Sequence, residues 1–240
     1  MNIFIFDDNK INLSRQVKDF LVNAVPAAVV IMAVVLALVL AKKRKNNVYS
    51  SKTIAYAGVC IALATALNFF TLFQMPQGGS VTLGRLVPLL IYAYCFRKEK
   101  GFLAGAIYGL IDFIAKPYFV NIFQFLLDYI FAFSCVGFAG IISLKLKHFG
   151  LIIGAAVAGI ARFVFSTVSG VLFFAAYAPE DMSVLEYSLG YNSFLLVDMA
   201  ICIAVISLLM FSETFRKLLE KNMAVKPLNK EKVTADTDSV

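Results

Sequence analysis

From Phe20 to Ala41 the chain is almost wholly apolar, and the basic run Lys42 to Lys45 follows at once. At about 1.5 Å of rise per residue, such a stretch spans a hydrocarbon core of about 30 Å. In lipid every backbone N–H and C=O must be satisfied within the segment, so a run of this length folds as a helix. Further apolar runs follow at roughly 53–73, 84–96, 101–116, 121–143, 149–176 and 190–211. The pattern predicts an all-α fold, a polytopic membrane helix bundle. Composition agrees: 60% of the 240 residues are hydrophobic and 15% are charged, whereas soluble domains carry about 25% charge.

Charge sets the orientation. Arg97, Lys98 and Lys100 mark one connection, Lys145 and Lys147 another, and Arg216, Lys217 and Lys221 the last exit. The intervening stretches QMPQGGSVT, KPYFVN and APEDMSVLEYS are poor in lysine and arginine. Basic loops stay on the cytoplasmic side, so the alternation predicts seven helices in the cell (plasma) membrane. It places the N-terminus outside and the C-terminus in the cytoplasm. The net charge of +7 resides in these clusters and gives no reason to expect nucleic acid; membrane lipid is the expected surroundings. Residues 1–18 are too charged for the apolar stretch of a signal peptide, and KPLNKEKVTADTDSV reads as a solvated tail. Three segments follow: 1–52 with an N-terminal helix and basic linker, a membrane domain at 53–215, and the polar tail at 216–240.

The 84–96 run is short. Its residues cover about 20 Å as a helix, and Pro88 removes a backbone donor. A short or kinked helix, or one extended upward through Ser80, is expected there, beside the glycine-rich stretch QMPQGGSVTLGR. Such a pairing leaves room for an outward-opening cavity. Covalent chemistry has no obvious home. The cysteines Cys60, Cys95, Cys135 and Cys202 lie inside apolar runs without metal-ligand spacing, His148 is the only histidine, and no P-loop occurs. No catalytic residue, metal or cofactor is therefore expected.

Polar residues at membrane depth carry the functional signal, since a charge there costs about 2.5–3.5 kcal/mol even on a lenient scale. Asp112, Asp128 and Asp198 qualify, with Arg162 as the deep base. Asn121, Gln124 and Asp128 fall at i, i+3 and i+7 and share one helical face. They read as a stripe descending from the outside, either facing a ligand or forming an interhelical seam with Arg162. Arg162, Ser166 and Ser169 share a second face. In the row Tyr108, Asp112 and Lys116, the last two are expected to pair. Tyr118, Tyr129, Tyr177, Tyr187 and Tyr191, with Asn192, collect on the side of the Asp128 stripe. A carboxylate among aromatic faces suits a cationic, planar organic ligand.

The segments MPQGGSVTLGRLVPLLIYAY, LLDYIFAF, SGVLFFAAYAPE and EYSLGYN resemble the thiamine-specific substrate-binding subunits of energy-coupling factor (ECF) transporters, in the same order over about 53–215. The resemblance implies a six-helix core, to which the helix at 20–41 is additional, and a vitamin pocket near the outer face under a lid. It assigns the lid to Gln77, Gly78, Gly79 and Ser80. Pocket roles carry over to Tyr118, Asp128 (the family's glutamate, one methylene shorter), Tyr129, Tyr187 and Asn192. Ser166 stands where the family commonly has a ligand-contacting histidine, and Phe174 at one place of its tryptophans; this chain contains no tryptophan. Gly58 and Ala62 fall on the small-residue face that docks the partner. The implied partners are thiamine or a related cation, the ECF transmembrane coupling subunit and two ATPase subunits. Other readings stay open: the same machinery with another vitamin or a thiamine precursor, or an autonomous proton-coupled transporter using Asp112, Asp128 and Asp198.

Overall fold

The computed structural model describes residues 50–142 and 149–223. The N-terminal helix expected at 20–41, the KKRK run, Lys145, Lys147, His148 and the tail beyond 223 lie outside the described residues. Helix α1 (Ser51–Asn68) starts where the Ser50 hydroxyl accepts a bond from the Thr53 amide. It ends at Asn68, short of the expected 73, because FFTLF is rich in aromatic and β-branched residues that favour extended backbone. Strand β1 (Thr71–Gln74) follows and pairs antiparallel with β2 (Ser80–Thr82), Gln74 opposite Ser80. The glycine-rich stretch is thus the turn and returning strand of a β-hairpin. Its turn is closed by the Met75 amide on the Gly79 carbonyl at 2.7 Å, with Gly78 at a φ of 89°, a conformation glycine tolerates.

Helix α2 (Val87–Phe96) is short, as its length in sequence predicts, and Pro88 sits harmlessly in its first turn. The chain above it is the strand β2 rather than a helical extension through Ser80. Helix α3 (Lys98–Ala115) packs so closely on the helix that follows it that a methyl group at Gly105 or Gly109 would run into the backbone of Phe133 or Tyr129. Helix α4 (Ile122–Ile141) changes pitch along its length, with π-helical bonding over Leu126–Phe131 and a 3₁₀ turn over Cys135–Phe138. Helix α5 spans Gly150–Phe173.

Helix α6 (Val184–Asn192) begins inside the stretch expected to be an external loop. The cause is a capping box: Ser183 and Glu186 satisfy each other's backbone amides. After a turn at Ser193 it runs on into α7 (Phe194–Phe211), and α8 (Glu213–Met223) closes the described chain. Among the described residues, Ile122–Ile141, Gly150–Phe173 and Val184–Phe211 are long and apolar enough to cross a membrane. The protein is membrane-embedded, and the short α2 is packed at its centre, with Leu89, Leu90 and Tyr94 buried.

Candidate ligand-binding site

The hairpin covers one end of the bundle, and beneath it lies a cleft of about 820 Å³, its open mouth included. Tyr118, Asp128, Tyr129, Ser166, Phe174, Tyr187 and Asn192 all line it, and Gln77, Gly78, Gly79 and Ser80 form part of its cover. Residues from three helices, two connections and the hairpin, scattered over more than a hundred positions, therefore meet at one place.

Asp128 owes its aim to the π-helical stretch of α4, a departure from α geometry that often marks functional sites. Its Oδ2 accepts from Gln124 Nε2 at 2.8 Å and from Ser169 Oγ at 2.9 Å. Among the described residues Oδ1 accepts no bond. The alternative seam from Asp128 to Arg162 does not form among the described residues: Arg162 binds Asp198, at 3.4 Å. Asn121 does not extend the stripe either. Its Oδ1 caps α4, accepting from the Phe123 and Gln124 amides. The neighbouring Tyr129 hydroxyl accepts from the Tyr118 amide at 3.2 Å and lies 3.4 Å from the Lys116 carbonyl, which ties α4 to the connection before it.

Aromatic walls flank the carboxylate. Tyr118 and Phe174 stack at 5.9 Å and 24°, and the Tyr187 and Tyr191 rings lie 6.2 Å apart. Tyr118 sits in the connection before α4, and its phenol is pushed up to about 12, first by its hydrogen bond to Tyr177. It stays protonated at neutral pH and can donate.

The floor holds residues that the sequence reading did not select. Arg85 lines the cleft and is 3% exposed, so α5 does not supply the only deep base. Its NH1 donates to Asn68 Oδ1 at 2.7 Å and to Asp112 Oδ1 at 3.3 Å. Asp112 consequently pairs with Arg85 and Asn68, not with Lys116, whose Nζ donates to the Asn68 carbonyl and the Thr71 hydroxyl. Helix α1 ends at Asn68 and turns its polar terminus toward α3, and this geometry overrides the i, i+4 spacing. Both guanidinium groups sit over the Phe133 ring, Arg85 at 5.3 Å and Arg162 at 4.4 Å. The signal for Arg85 was present in the sequence, a lone arginine directly before a wholly apolar run. Tyr191, Phe194, Lys116 and Phe133 also line the cleft.

Gly58 and Ala62 lie on the exposed face of α1, outside the lining of the cleft, and among the described residues a methyl group at Gly58 would meet nothing within 4 Å.

The family model described as "Thiamine transporter protein (Thia_YuaJ)" matches residues 54–218. The chain is 30% identical over 163 residues to "Thiamine transporter ThiT" of Bacillus subtilis (strain 168), covering 63% of this chain and 84% of that protein. It is 29% identical over 122 residues to "Thiamine transporter ThiT" of Lacticaseibacillus paracasei, 45% of this chain and 61% of that one. A solved structure of ThiT from Listeria monocytogenes has a TM-score of 0.61 at 24% identity, covering 68% of this chain and 96% of the other. That likeness confirms the fold.

Proposed function

We proceed from a chain that belongs to the thiamine transporter family, and we propose that it is the substrate-binding membrane subunit through which thiamine, or a close analogue, is taken up. Members of this family are transport proteins rather than enzymes. The observation that carries the reading is Asp128: a carboxylate with one oxygen held by Gln124 and Ser169, facing a cleft walled by aromatic rings. Thiamine presents a permanently cationic ring and a flat aminopyrimidine, which match a carboxylate and two aromatic walls. Gln77 Oε1, in the lid, is buried without a hydrogen-bond partner. An amino group on the ligand would satisfy it. In this reading Tyr118, Tyr129, Phe174 and Tyr187 contact the rings, Asn192 and Ser166 shape the wall beyond them, and Gln77 to Ser80 close over the top.

The cleft opens outward and the N-terminus is external, as the charge alternation implies. Energy comes from an ECF transmembrane coupling subunit with two ATPase subunits, the coupling subunit docking on the exposed α1 face at Gly58 and Ala62. The proton-relay alternative draws no support from Asp112 and Asp198, each engaged by an arginine. Mass spectrometry of small molecules that copurify with the detergent-solubilised protein tests the reading. Thiamine or a pyrimidine–thiazolium relative is the expected finding; a vitamin lacking both rings would overturn it.

A further inference from the structure

The hairpin is held to the bundle at two heights by the continuous α6–α7 stretch. At its base, Asp198 Oδ1 accepts from the Thr82 amide at 2.8 Å and from the Thr82 hydroxyl at 2.9 Å. Thr82 and Asp198 are both fully buried, and Asp198 is itself braced by Arg162 at 3.4 Å. At the tip, the Tyr191 hydroxyl accepts from the Gln77 amide at 3.1 Å in part-buried surroundings. Gly79 rests on the Phe194 ring so closely that a methyl group would collide with it. Tyr191 and Asp198 are two helical turns apart, roughly 10 Å by helical rise.

The two attachments differ in kind. The base has two bonds to a carboxylate away from water, and charge-assisted bonds are about twice as strong as neutral ones. The tip has only neutral backbone bonds to one hydroxyl beside the mouth of the cleft, chiefly that from Gln77, so the tip releases first. We propose that the Tyr191 hydroxyl is the latch of the hairpin lid: it holds the Gln77–Gly79 tip over the cleft, while Asp198 keeps the Thr82 base in place, and so sets how fast a bound ligand escapes. This rests on the cleft being the thiamine site. Tyr191 acts here as a positioning residue, through the backbone of the lid.

Hydrogen exchange resolved to single amides, on the detergent-solubilised full chain with no ligand added, reads the latch independently of the ligand's identity. Release of radiolabelled thiamine from preloaded protein reads its consequence. Tyr191→Phe removes only the hydroxyl. It is expected to speed exchange at Gln77 severalfold, leave the Thr82 amide as protected as in the parent, and accelerate thiamine release about three- to tenfold, the effect of one neutral hydrogen bond. Gln77→Pro removes the donor of the same bond, and the double variant should release thiamine no faster than the faster single variant. Exchange at Gln77 unchanged by Tyr191→Phe overturns the latch. So does faster exchange at Thr82 as well, because that means general loosening, and so does an unchanged release rate. If Gln77 loosens as expected but the parent protein binds no thiamine, the latch stands and the ligand assignment fails.

Discussion

Asp128 and Ser169 sit on different helices, 41 positions apart, yet the serine hydroxyl donates to the carboxylate at 2.9 Å. With Gln124 on the other side, this leaves the carboxylate fixed in direction while half of its acceptor capacity faces the cleft. Asp128→Asn keeps the size of the side chain and removes the charge. Losing one charge-assisted contact costs about 1.5–3 kcal/mol, so thiamine affinity should fall about ten- to a hundredfold. Asp128→Glu should bind at least as well as the parent. The chain has no tryptophan, so quenching of tyrosine emission on titration with thiamine measures both variants. Asp128→Asn binding as tightly as the parent would show that the carboxylate serves packing alone.

Among the elements, the hairpin and the charged floor beneath it are one unit. Asp198 accepts from Thr82 and faces Arg162 at 3.4 Å and Arg85 at 4.0 Å, all of them buried. Asp198→Ala leaves two guanidinium groups short of a partner. Breaking a buried pair from one side costs about 3–5 kcal/mol, so a large drop in thermal midpoint is expected in detergent, whereas Asp128→Asn should leave the midpoint nearly unchanged. Equal midpoints for Asp198→Ala and the parent would mean that the floor contributes nothing to folding. Sequence reading reached α2 to α5 and α7 because apolar runs in lipid have one backbone solution, but not α8, whose Glu213–Met223 falls largely within the stretch read as a polar tail. It missed the end of α1 at Asn68, because FFTLF is as apolar as a helix and only pairing with β2 makes it a strand. It missed the start of α6 for the opposite reason: MSVLEYS looks like a polar loop, and only the Ser183–Glu186 capping box marks a helix start there. The cleft residues were legible through the resemblance. Their supports were not, since the partners of Asp112, Asp198 and Arg162 come from elements whose relative placement no spacing rule supplies.

For the whole molecule, orientation and assembly follow from surface rather than core. With the cleft outward, a cysteine at Glu180, in the connection before α6, should react with a membrane-impermeant reagent on intact cells. One at Lys217 on α8 should react only after permeabilisation. The reverse pattern would turn the protein over. Gly58→Leu adds bulk at an exposed position of α1, where a methyl group would meet none of the other described residues within 4 Å. It should abolish uptake and copurification of the coupling subunit while thiamine affinity of the isolated subunit survives. Loss of binding would place Gly58 in internal packing instead. The central claim is that the cleft recognises a fixed cation through Asp128, and titration calorimetry of the purified chain tests it most directly. The titrants are thiamine and an isostere whose thiazolium is replaced by an uncharged ring. The parent is expected to bind thiamine about ten- to a hundredfold more tightly than the isostere, and Asp128→Asn to lose that preference. Equal affinity of the parent for both, or a preference that survives in Asp128→Asn, would contradict it.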